Sequence, residues 1–476
     1  METPDAVGEV NDTDGTASAP GLIDWETALE TAARLSRTHR ADTDRSLAAA
    51  VARVEAEVPV FRNKDYPLSP LPLLVEPTAA ARTAERLEAY VELLEKVVRI
   101  HRHDEPVRRW YGLSDAAEAL IDAEAESGDP ARIHVCRLDG YLEQGGERLR
   151  VLENNADAPA GTLFTPRVHA AVAAVLQSLG IRLPPHAERF RPAETALLDL
   201  LTAGLTDARR QQRTPCVAVL QPHGKENRES LEMITFFRAE GVEALVVDPR
   251  QIAVSGGHAR VGRRRIDVCW NKVNTVLWEK MLDRDPELLK LWLRVLRDTD
   301  LWHVNPFAAR YVAESKLTLA LLQEEEFAHH FDEAERRLVA GLLPRTRRLR
   351  ADDDTLHRVL DEQHRYVVKE PYDIRGDGVT VGRAVTRDAW SKAVAEGVAR
   401  PAVVQGYVAP SAYPVVRTGA RPQIITMPIS LDTYVLGGKA AFFGSKASLA
   451  ARVNLFQGGQ KLAVHVPETG KGDATP

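Results

Sequence analysis

Polar side chains of the kind that bind magnesium are concentrated in two short runs of the chain. The first run is Arg137-Leu138-Asp139, and the second is Glu153-Asn154-Asn155-Ala156-Asp157. Side chains alternate along a strand, so every second residue of each run would share one face. Carboxylate and amide oxygens are magnesium ligands, and the ion typically combines one or two carboxylates with substrate phosphates. The two runs are therefore a candidate magnesium site.

These runs need a defined register to act together. They lie in β-prone segments, Arg132–Asp139 and Arg148–Asn155, around Gln144-Gly145-Gly146-Glu147, which predicts a hairpin. If the polar faces meet, oxygen ligands lie beside the Arg137 guanidinium, which could neutralise a phosphoryl group or an acyl phosphate. A slip of one residue would separate the faces. The spacing alone fits a solvated hairpin equally well.

Two lysines and a glycine-rich loop could hold a nucleotide. Lys316 begins an apolar helix shortly after Asn305-Pro306, and Lys369 ends the apolar strand Tyr366–Lys369. A strand lysine can reach a phosphate as a compact point charge. The loop Arg375-Gly376-Asp377-Gly378-Val379 follows, and its backbone amides could cover phosphates, although the same sequence fits an ordinary turn.

A third candidate is an adenine slot at the end of a later strand. The run Ala402–Val408 is apolar and leads into a polar break after Gln405, Tyr407 and Val408. An adenine ring needs backbone donors and acceptors beside an apolar slot, and such a passage supplies both. Any buried strand would have a similar pattern.

The elements that would position these residues change in type along the chain. The pattern is helical from Leu22 to about Ser127, where an apolar stripe repeats every three or four residues. Strand–helix–strand order then predicts an open α/β sheet, whose ligands gather at the carboxyl ends of its strands. Its expected elements are Cys216–Leu220, Ser230–Glu240, Ala244–Asp248 and Arg265–Trp270.

The last half of the chain is expected to contain helices and further strands with glycine-rich connections. The connections are Arg375–Gly382, Leu436–Gly444 and Gln457–Gly459. Arg452, Asn454 and the last of these loops are weaker candidates for completing the site. The expected helices are Thr275–Arg297 and Ala309–Glu326, and the expected strands are Tyr366–Lys369, Ala402–Tyr407, Gln423–Ile429 and Lys461–Val466.

Composition limits the class of partner. With 476 residues and a net charge of −6, the chain offers no general attraction for nucleic acid or an anionic membrane. No segment reaches the roughly 20 apolar residues of a membrane span. The three cysteines lie in apolar runs without metal-site spacing, which favours buried thiols. We therefore expect a cytoplasmic protein without a nucleic-acid or membrane partner. Its oligomeric state, a homo-oligomer included, stays open.

The order of these pieces resembles the glutathionylspermidine synthase-like group of circularly permuted ATP-grasp ligases. That group has an Arg-x-Asp strand before a Glu-x-Asn-Ala-Asp-x-Pro segment, which here reads Glu153 to Pro159. It then has an α/β region, a lysine after Asn-Pro, and a strand lysine before a glycine-rich lid. The resemblance extends from Arg132 to Val466. Two departures are Glu370 between Lys369 and Pro371, and a more acidic lid.

The resemblance implies roles for the candidate residues. Asp139, Glu153 and Asn155 would bind Mg²⁺, and Arg137 would contact the acyl phosphate. Lys316 and Lys369 would hold ATP phosphates under a lid containing Gly376 and Gly378, while Asp157 would support its loop. The segment with Gln405, Tyr407 and Val408 would border the adenine.

The resemblance also implies a fold and an activity. The fold is α/β (α+β, multi-lobed): a permuted ATP-grasp with a pre-ATP-grasp α/β lobe and a helical N-terminal region. The activity is ATP-dependent joining of a small-molecule carboxylate and an amine through an acyl phosphate. A ligase that acts on an amino acid, a γ-glutamyl donor or a small peptide is favoured over a polyamine ligase. An inactive nucleotide-binding scaffold and a small-molecule kinase are the rivals. The expected divisions are 1–20 disordered, 21–131 helical, 132–212 metal-site hairpin and helices, 213–305 pre-ATP-grasp lobe, 306–466 ATP-binding lobes and 467–476 frayed tail.

Overall fold

A computed structural model describes most of the chain. The expected disordered arm and most of the expected frayed tail lie outside the described residues, as do Arg375, Asn454, Gln457 and Gly458. The expected domain boundaries stay a prediction. The described residues are 21–38, 47–57, 68–126, 131–205, 214–351, 356–373, 376–417, 423–453, 455 and 459–469.

The α-helices surround several small sheets. The longest, Pro77–His103, begins where the Glu76 carboxylate accepts the amide hydrogens of Thr78 and Ala79, and its predicted apolar stripe is buried. Across the described residues, no helix is long and apolar enough to cross a membrane. The α-helices are Trp25–Thr38, Leu47–Glu57, Pro77–His103, Glu105–Tyr111, Asp115–Ala125, Phe164–Ser178, Ala196–Ala203, Arg228–Ala239, Thr275–Arg284, Pro286–Asp298, Lys316–Leu321, Glu333–Leu342, Leu356–Asp361 and Arg387–Ala399.

In the part of the chain that the structure describes, the strands form six sheets, two of which carry most of the candidate residues. A five-stranded antiparallel sheet has the order β19-β18-β17-β2-β3, and a four-stranded antiparallel sheet has the order β11-β14-β12-β13. In the first, the strands are β2 (Val135–Glu143), β3 (Arg148–Asn155), β17 (Ser430–Leu436), β18 (Lys439–Ala447) and β19 (Gln460–Leu462). In the second they are β11 (Thr346–Arg348), β12 (Tyr366–Lys369), β13 (Val379–Val381) and β14 (Val403–Gly406).

A parallel sheet with the order β10-β9-β4-β5 forms the α/β part that the sequence predicts. Its strands are β4 (Cys216–Leu220), β5 (Glu243–Val247), β9 (Val268–Asn271) and β10 (Trp302–Val304). The remaining strands are β1 (Leu73–Leu74), β6 (Ala253–Ser255), β7 (His258–Val261), β8 (Arg264–Ile266), β15 (Ala412–Arg417), β16 (Gln423–Pro428) and β20 (Val464–His465).

The mixed α/β class and the hairpin are confirmed, and several element boundaries are corrected. The expected strand Arg265–Trp270 is two strands, β8 and β9, because Asp267 turns away to bond the backbone of Cys216. The helix expected over Thr275–Arg297 is interrupted at Asp285, before Pro286. The helix expected over Ala309–Glu326 is three segments: a π-helix over Ala309–Ala313, the helix Lys316–Leu321 and a 3₁₀ helix over Glu325–His330.

The expected connection Leu436–Gly444 is also wrong, because most of it is strand β18. Only Gly437 and Gly438 form the turn, with φ of 58° and 82°, a left-handed conformation that glycine adopts at no steric cost. Gly444 lies within β18 instead, opposite Asp432. The pairing of β17 with both β2 and β18 joins residues that are 300 positions apart into one sheet.

The loops that end in the candidate site are fixed by two buried side chains. Asn305 accepts the amide hydrogens of His134 and Val135 and donates to the carbonyls of Val135 and Ala156. Arg310, fully buried, donates to the carbonyl oxygens of Asp157, Asn271 and Val273. These bonds satisfy backbone groups at the ends of β2 and β9 and in the loops that follow β3 and β9.

Candidate active site

A cavity of about 690 Å³ lies where the three main sheets meet. One wall is the face of the five-stranded sheet, and another carries residues of β12, β13 and β14. Loops after β9 and the start of helix Arg228–Ala239 complete the lining. Of the predicted site residues, those on the lining are Arg137, Asp139, Glu153, Asn155, Lys369, Gly376, Gln405, Tyr407 and Val408. Lys316 and Gly378 are set back from it.

The hairpin register brings the two polar faces together. Asp139 lies opposite Glu153, and Arg137 lies opposite Asn155. The Asn155 amide donates to the Arg137 carbonyl at 3.1 Å and to Asp139 Oδ1 at 3.3 Å. A bulge follows Asp139 and shifts the register between β2 and β3. Beyond Gly140, the side chains of the two strands therefore no longer alternate in step. The polar wall therefore ends at that bulge.

Arg137 is bound to this wall by two hydrogen bonds to one carboxylate. Its Nε and Nη2 donate to Asp139 at 2.5 and 3.0 Å, and its Nη1 donates to the Ala160 carbonyl at 2.9 Å. Burial alone would raise the pKa of Asp139, but Arg137 and Lys446 hold that pKa well below its usual range. The carboxylate is therefore ionised and available to a cation.

Lys446 and Asp432 belong to the same wall, and the sequence analysis missed both. The Lys446 ammonium lies 2.9 Å from Asp432 and 3.1 Å from Asp139. Asp432 lies opposite Asp139 across β17 and β2, and its side chain is buried. Burial raises the pKa of Asp432, and the negative charge of Asp139 raises it further. The ammonium thus stabilises two carboxylates that would otherwise repel each other.

The two predicted phosphate lysines have different surroundings. Lys316 is buried, with its ammonium 2.8 Å from Glu153 and 3.0 Å from Asp373. Lys369 lines the cavity and donates to the Leu152 carbonyl at 2.9 Å. Burial lowers the pKa of Lys369 to about 8, since no carboxylate bonds its ammonium among the described residues. Of these two lysines, Lys369 lies on the cavity lining and Lys316 lies behind it.

The glycine-rich segment after Lys369 folds back over β12. Gly376 lines the cavity with φ of +77°, and its carbonyl accepts a hydrogen bond from Arg452 Nη1. Gly378 accepts the amide hydrogen of Glu370 at 2.9 Å. A side chain at Gly378 would lie 3.0 Å from the Cβ atoms of both Asp373 and Glu370. The predicted lid thus reaches the cavity through Gly376.

The segment predicted to border adenine forms the end of β14. Gln405 is buried and donates to the Thr346 hydroxyl at 3.1 Å, while the Arg383 guanidinium lies 3.5 Å from the centre of the Tyr407 ring. The amide hydrogens of Gly406 and Tyr407 already bond the carbonyls of Arg345 and Arg365. A base placed here would therefore use the carbonyls of this segment or the amide of Val408.

The loop from Ala158 to Gly161 closes the opposite end of the cavity. Lys272 donates to the carbonyls of Ala158 and Pro159 at 3.1 and 2.7 Å, and Glu229 accepts the amide hydrogen of Gly161 at 2.6 Å. A Cβ at Gly161 would lie 2.1 Å from the Tyr434 hydroxyl, so this position requires glycine. The Asp157 carboxylate accepts the Thr275 amide at 2.8 Å and so supports the loop.

Glu314 is a second acid that sequence reasoning missed. Its carboxylate accepts the amide hydrogens of Ala156 and Asp157 at 2.5 and 2.9 Å, and it lines the cavity. Burial raises the pKa of Glu314 well above its usual range, and the charge of Asp157 raises it further.

The donor set of the wall fits magnesium. Asp139, Glu153 and Asn155 present carboxylate and amide oxygens from adjacent strands, and all three line the cavity. Hard oxygen donors of this kind suit Mg²⁺. Cations of the protein, Arg137, Lys446 and Lys316, neutralise the two carboxylates in the structure.

The chain was compared with known families and solved structures. A family model described as circularly permuted ATP-grasp type 2 matches residues 122–450. A glutathione synthetase-like effector from Globodera pallida, in its apo form, is similar over 90% of this chain and 98% of its own, with a TM-score of 0.56 and 12% identity. That likeness shows a shared fold.

Two further solved structures are similar over about half of the chain. D-cycloserine synthetase shares 15% identity over 48% of this chain and 89% of its own, with a TM-score of 0.27. A RimK domain ATP-grasp protein from Sphaerobacter thermophilus shares 17% identity over 49% and 91%, with a TM-score of 0.26. A comparison with curated proteins gave no match.

Proposed function

This chain belongs to the circularly permuted ATP-grasp type 2 family, and we propose that it is an ATP-dependent carboxylate–amine ligase acting on an amino acid or a small peptide. One observation carries the proposal. The oxygen donors Asp139, Glu153 and Asn155 lie beside the Arg137 guanidinium on one wall of a cavity whose other wall carries Lys369. This combination suits transfer of a phosphoryl group to a carboxylate, which depends on positioning and charge neutralisation.

The first step forms the activated acid. A carboxylate oxygen of the substrate attacks the γ-phosphorus of ATP, and the bond between this phosphorus and the oxygen of the β-phosphate breaks. The products are ADP and an acyl phosphate. Mg²⁺ held by Asp139, Glu153 and Asn155 would neutralise phosphate oxygens. Lys369 would bind a phosphate from the opposite wall, and its pKa would rise again once an anion is bound.

The second step forms the amide. The amine nitrogen attacks the acyl carbon, the bond from carbon to the phosphate oxygen breaks, and the nitrogen loses a proton as phosphate leaves. Arg137 is fixed by Asp139 and Ala160, so its remaining donor positions have a defined direction along the wall. A preorganised guanidinium at that point would stabilise the charge that develops on the phosphate.

Incubation with ATP, magnesium and a mixture of amino acids and small peptides tests the proposal. The expected result is amine-dependent release of ADP together with a new amide mass. ADP with a phosphorylated product would instead identify a kinase, and absence of turnover over many substrate pools would identify a nucleotide-binding scaffold. A product from spermidine would identify a polyamine ligase.

A further inference from the structure

Lys461 is a cavity residue to which the mechanism above gives no role. It lies on β19, the edge strand of the five-stranded sheet, directly opposite Lys446 of β18. Paired residues of neighbouring strands share a face, so both side chains lie on the cavity side. The backbone is fixed independently, because the Lys461 carbonyl accepts the Ser69 amide hydrogen at 3.0 Å.

The Lys461 ammonium differs from the other cations of this sheet face. Arg137 is bound to Asp139, and Lys446 is bound to both Asp139 and Asp432. Among the described residues, the Lys461 ammonium has no hydrogen-bond or ion-pair partner. Burial lowers the pKa of Lys461 to about 8, although the charge of Asp432 opposes this shift. A desolvated ammonium in this position favours an anion that could supply the missing partner.

The phosphates of ATP are poorly placed to be that anion. Lys369, the cation expected to bind them, donates to the Leu152 carbonyl of β3, at the opposite edge of the sheet. Four strand spacings of about 4.8 Å separate β3 from β19, which is on the order of 19 Å along the sheet. The charges with the largest influence on the pKa of Lys461 are those of Asp432, Lys446, Arg137 and Asp139, which lie on the three strands next to β19 in the sheet.

The position of Lys461 also separates it from the shared core of the family. The family match ends at residue 450, and Lys461 follows it on a strand whose neighbours include residues of the N-terminal region. Lys461 is therefore a cation that a segment outside the matched region contributes to the cavity.

We propose that Lys461 binds a second carboxylate of the acid that is activated, so that the substrate is an extended dicarboxylate such as an amino diacid or a short peptide with a free C-terminus. Arg137, beside the reacting carboxylate, lies on β2, three strands from β19. The two carboxylates must therefore be separated by several bonds. The inference rests on the proposed function, because it assumes that a carboxylate reacts at Arg137.

Matched substrate pairs test this assignment. Glutarate, L-glutamate, γ-L-glutamylglycine and glutathione are each compared with a derivative in which one carboxylate is an amide. Binding is measured by titration calorimetry to protein saturated with magnesium and a non-hydrolysable ATP analogue. The proteins are wild type, Lys461→Gln, Lys461→Arg and the control Lys392→Gln, whose lysine is exposed on the helix Arg387–Ala399. ADP release with ATP is measured in parallel.

At least one dicarboxylate should bind the wild type about tenfold more tightly than its amide, as expected for one charge-assisted hydrogen bond. Lys461→Gln should remove this preference, Lys461→Arg should keep most of it, and Lys392→Gln should not change it. The proposal is overturned if no pair shows a preference, if the preference survives in Lys461→Gln, or if that variant loses affinity for the ATP analogue instead. A preference without ADP release would contradict the ligase reaction and leave the anion site standing.

Discussion

The walls of one cavity carry two kinds of buried cation. On the central strands of the five-stranded sheet, Arg137 and Lys446 are each bound to carboxylates, and their pKa values lie above the usual range despite burial. At the cavity's far edges, Lys369 and Lys461 have no bonded carboxylate among the described residues, and burial lowers the pKa of each to about 8.

The difference separates cations that stabilise the folded site from cations that are available to bind a ligand. When a buried cation is paired with a carboxylate, removal of either partner leaves the other as an uncompensated buried charge. A buried cation without one is a cost to the folded chain, which an arriving anion removes. We call Arg137 and Lys446 the paired group and Lys369 and Lys461 the open group. Substitution in the paired group should therefore lower stability, whereas substitution in the open group should lower ligand affinity. The predictions below test this division.

Substitution of Glu153 has the largest expected effect. It also tests the division most directly, because Glu153 is paired with Lys316 and is an expected magnesium ligand as well. Glu153→Gln should lower turnover by on the order of 10³-fold, since a magnesium ligand contributes several kcal/mol to charge stabilisation. ADP release and thermal unfolding are measured together, with Glu147→Gln, exposed at the hairpin turn, as the control. Full activity in Glu153→Gln would exclude the metal assignment.

Lys446 should show the behaviour of the paired group. Lys446→Met leaves Asp432 buried beside Asp139 without a cation, which should lower the free energy of unfolding by about 3 kcal/mol. Urea unfolding measures this loss. Lys290→Met removes an exposed lysine from a surface pair with Glu287 and should change stability by less than about 0.5 kcal/mol. Equal effects of the two substitutions would contradict the division.

Lys369 should show the opposite behaviour. Lys369→Met removes a cation expected to bind a phosphate, and it should weaken binding of an ATP analogue by about 30-fold, as loss of a hydrogen bond to a charged group predicts. The free energy of unfolding should not fall, because the removed charge has no carboxylate partner. Calorimetry and urea unfolding of the same preparation give both values. A fall in stability with unchanged affinity would place Lys369 in the paired group.

The sequence predicts the polar hairpin wall well, because its information is local. Alternation in Arg137–Asp139 and Glu153–Asp157 selects one face, and the Gln-Gly-Gly-Glu turn limits the register. The strand Tyr366–Lys369 is also predicted from local sequence, because it is a short apolar run that ends in a lysine. The α/β sheet follows from apolar runs separated by one helix, although Asp267 divides one expected strand.

The missed residues depend on pairing between distant segments. Asp432 is the single charged residue of β17, and Lys446 is one of two lysines in β18. Their role arises only because β17 pairs with β2, about 300 positions earlier. Three glycines led to a predicted connection at Leu436–Gly444, whereas Gly444 packs within a strand against Tyr434 and Thr165. A buried acid at Asp432 inside an otherwise apolar strand was the available signal. No local pattern shows that Lys316 is held by Asp373.

Three histidines outside the cavity extend the comparison to buried bases that have no expected anion. His186 lies edge-on to His169 and His465, with ring centres 5.8 and 5.0 Å apart, and His169 Nε2 accepts the Val464 amide hydrogen at 3.1 Å. Burial, with the charge of His186, lowers the pKa of His169 to about 3 and that of His465 to about 4. Unlike Lys369 and Lys461, His169 and His465 stay neutral throughout the physiological range.

The smallest expected effect is the pH dependence of this cluster. Below a pH of about 6.5 the unfolded chain binds protons that the folded chain does not, so stability is present above that pH and falls as the pH decreases towards 4. Urea unfolding should show a loss on the order of 2 kcal/mol from each of His169 and His465 between pH 7 and pH 5. His169→Gln, whose amide oxygen can accept the Val464 bond, should reduce the slope, and exposed His223→Gln should not. If both variants keep the wild-type slope, burial at this cluster does not control the protonation of its histidines. That result would also count against burial as the cause of the lowered pKa values of Lys369 and Lys461.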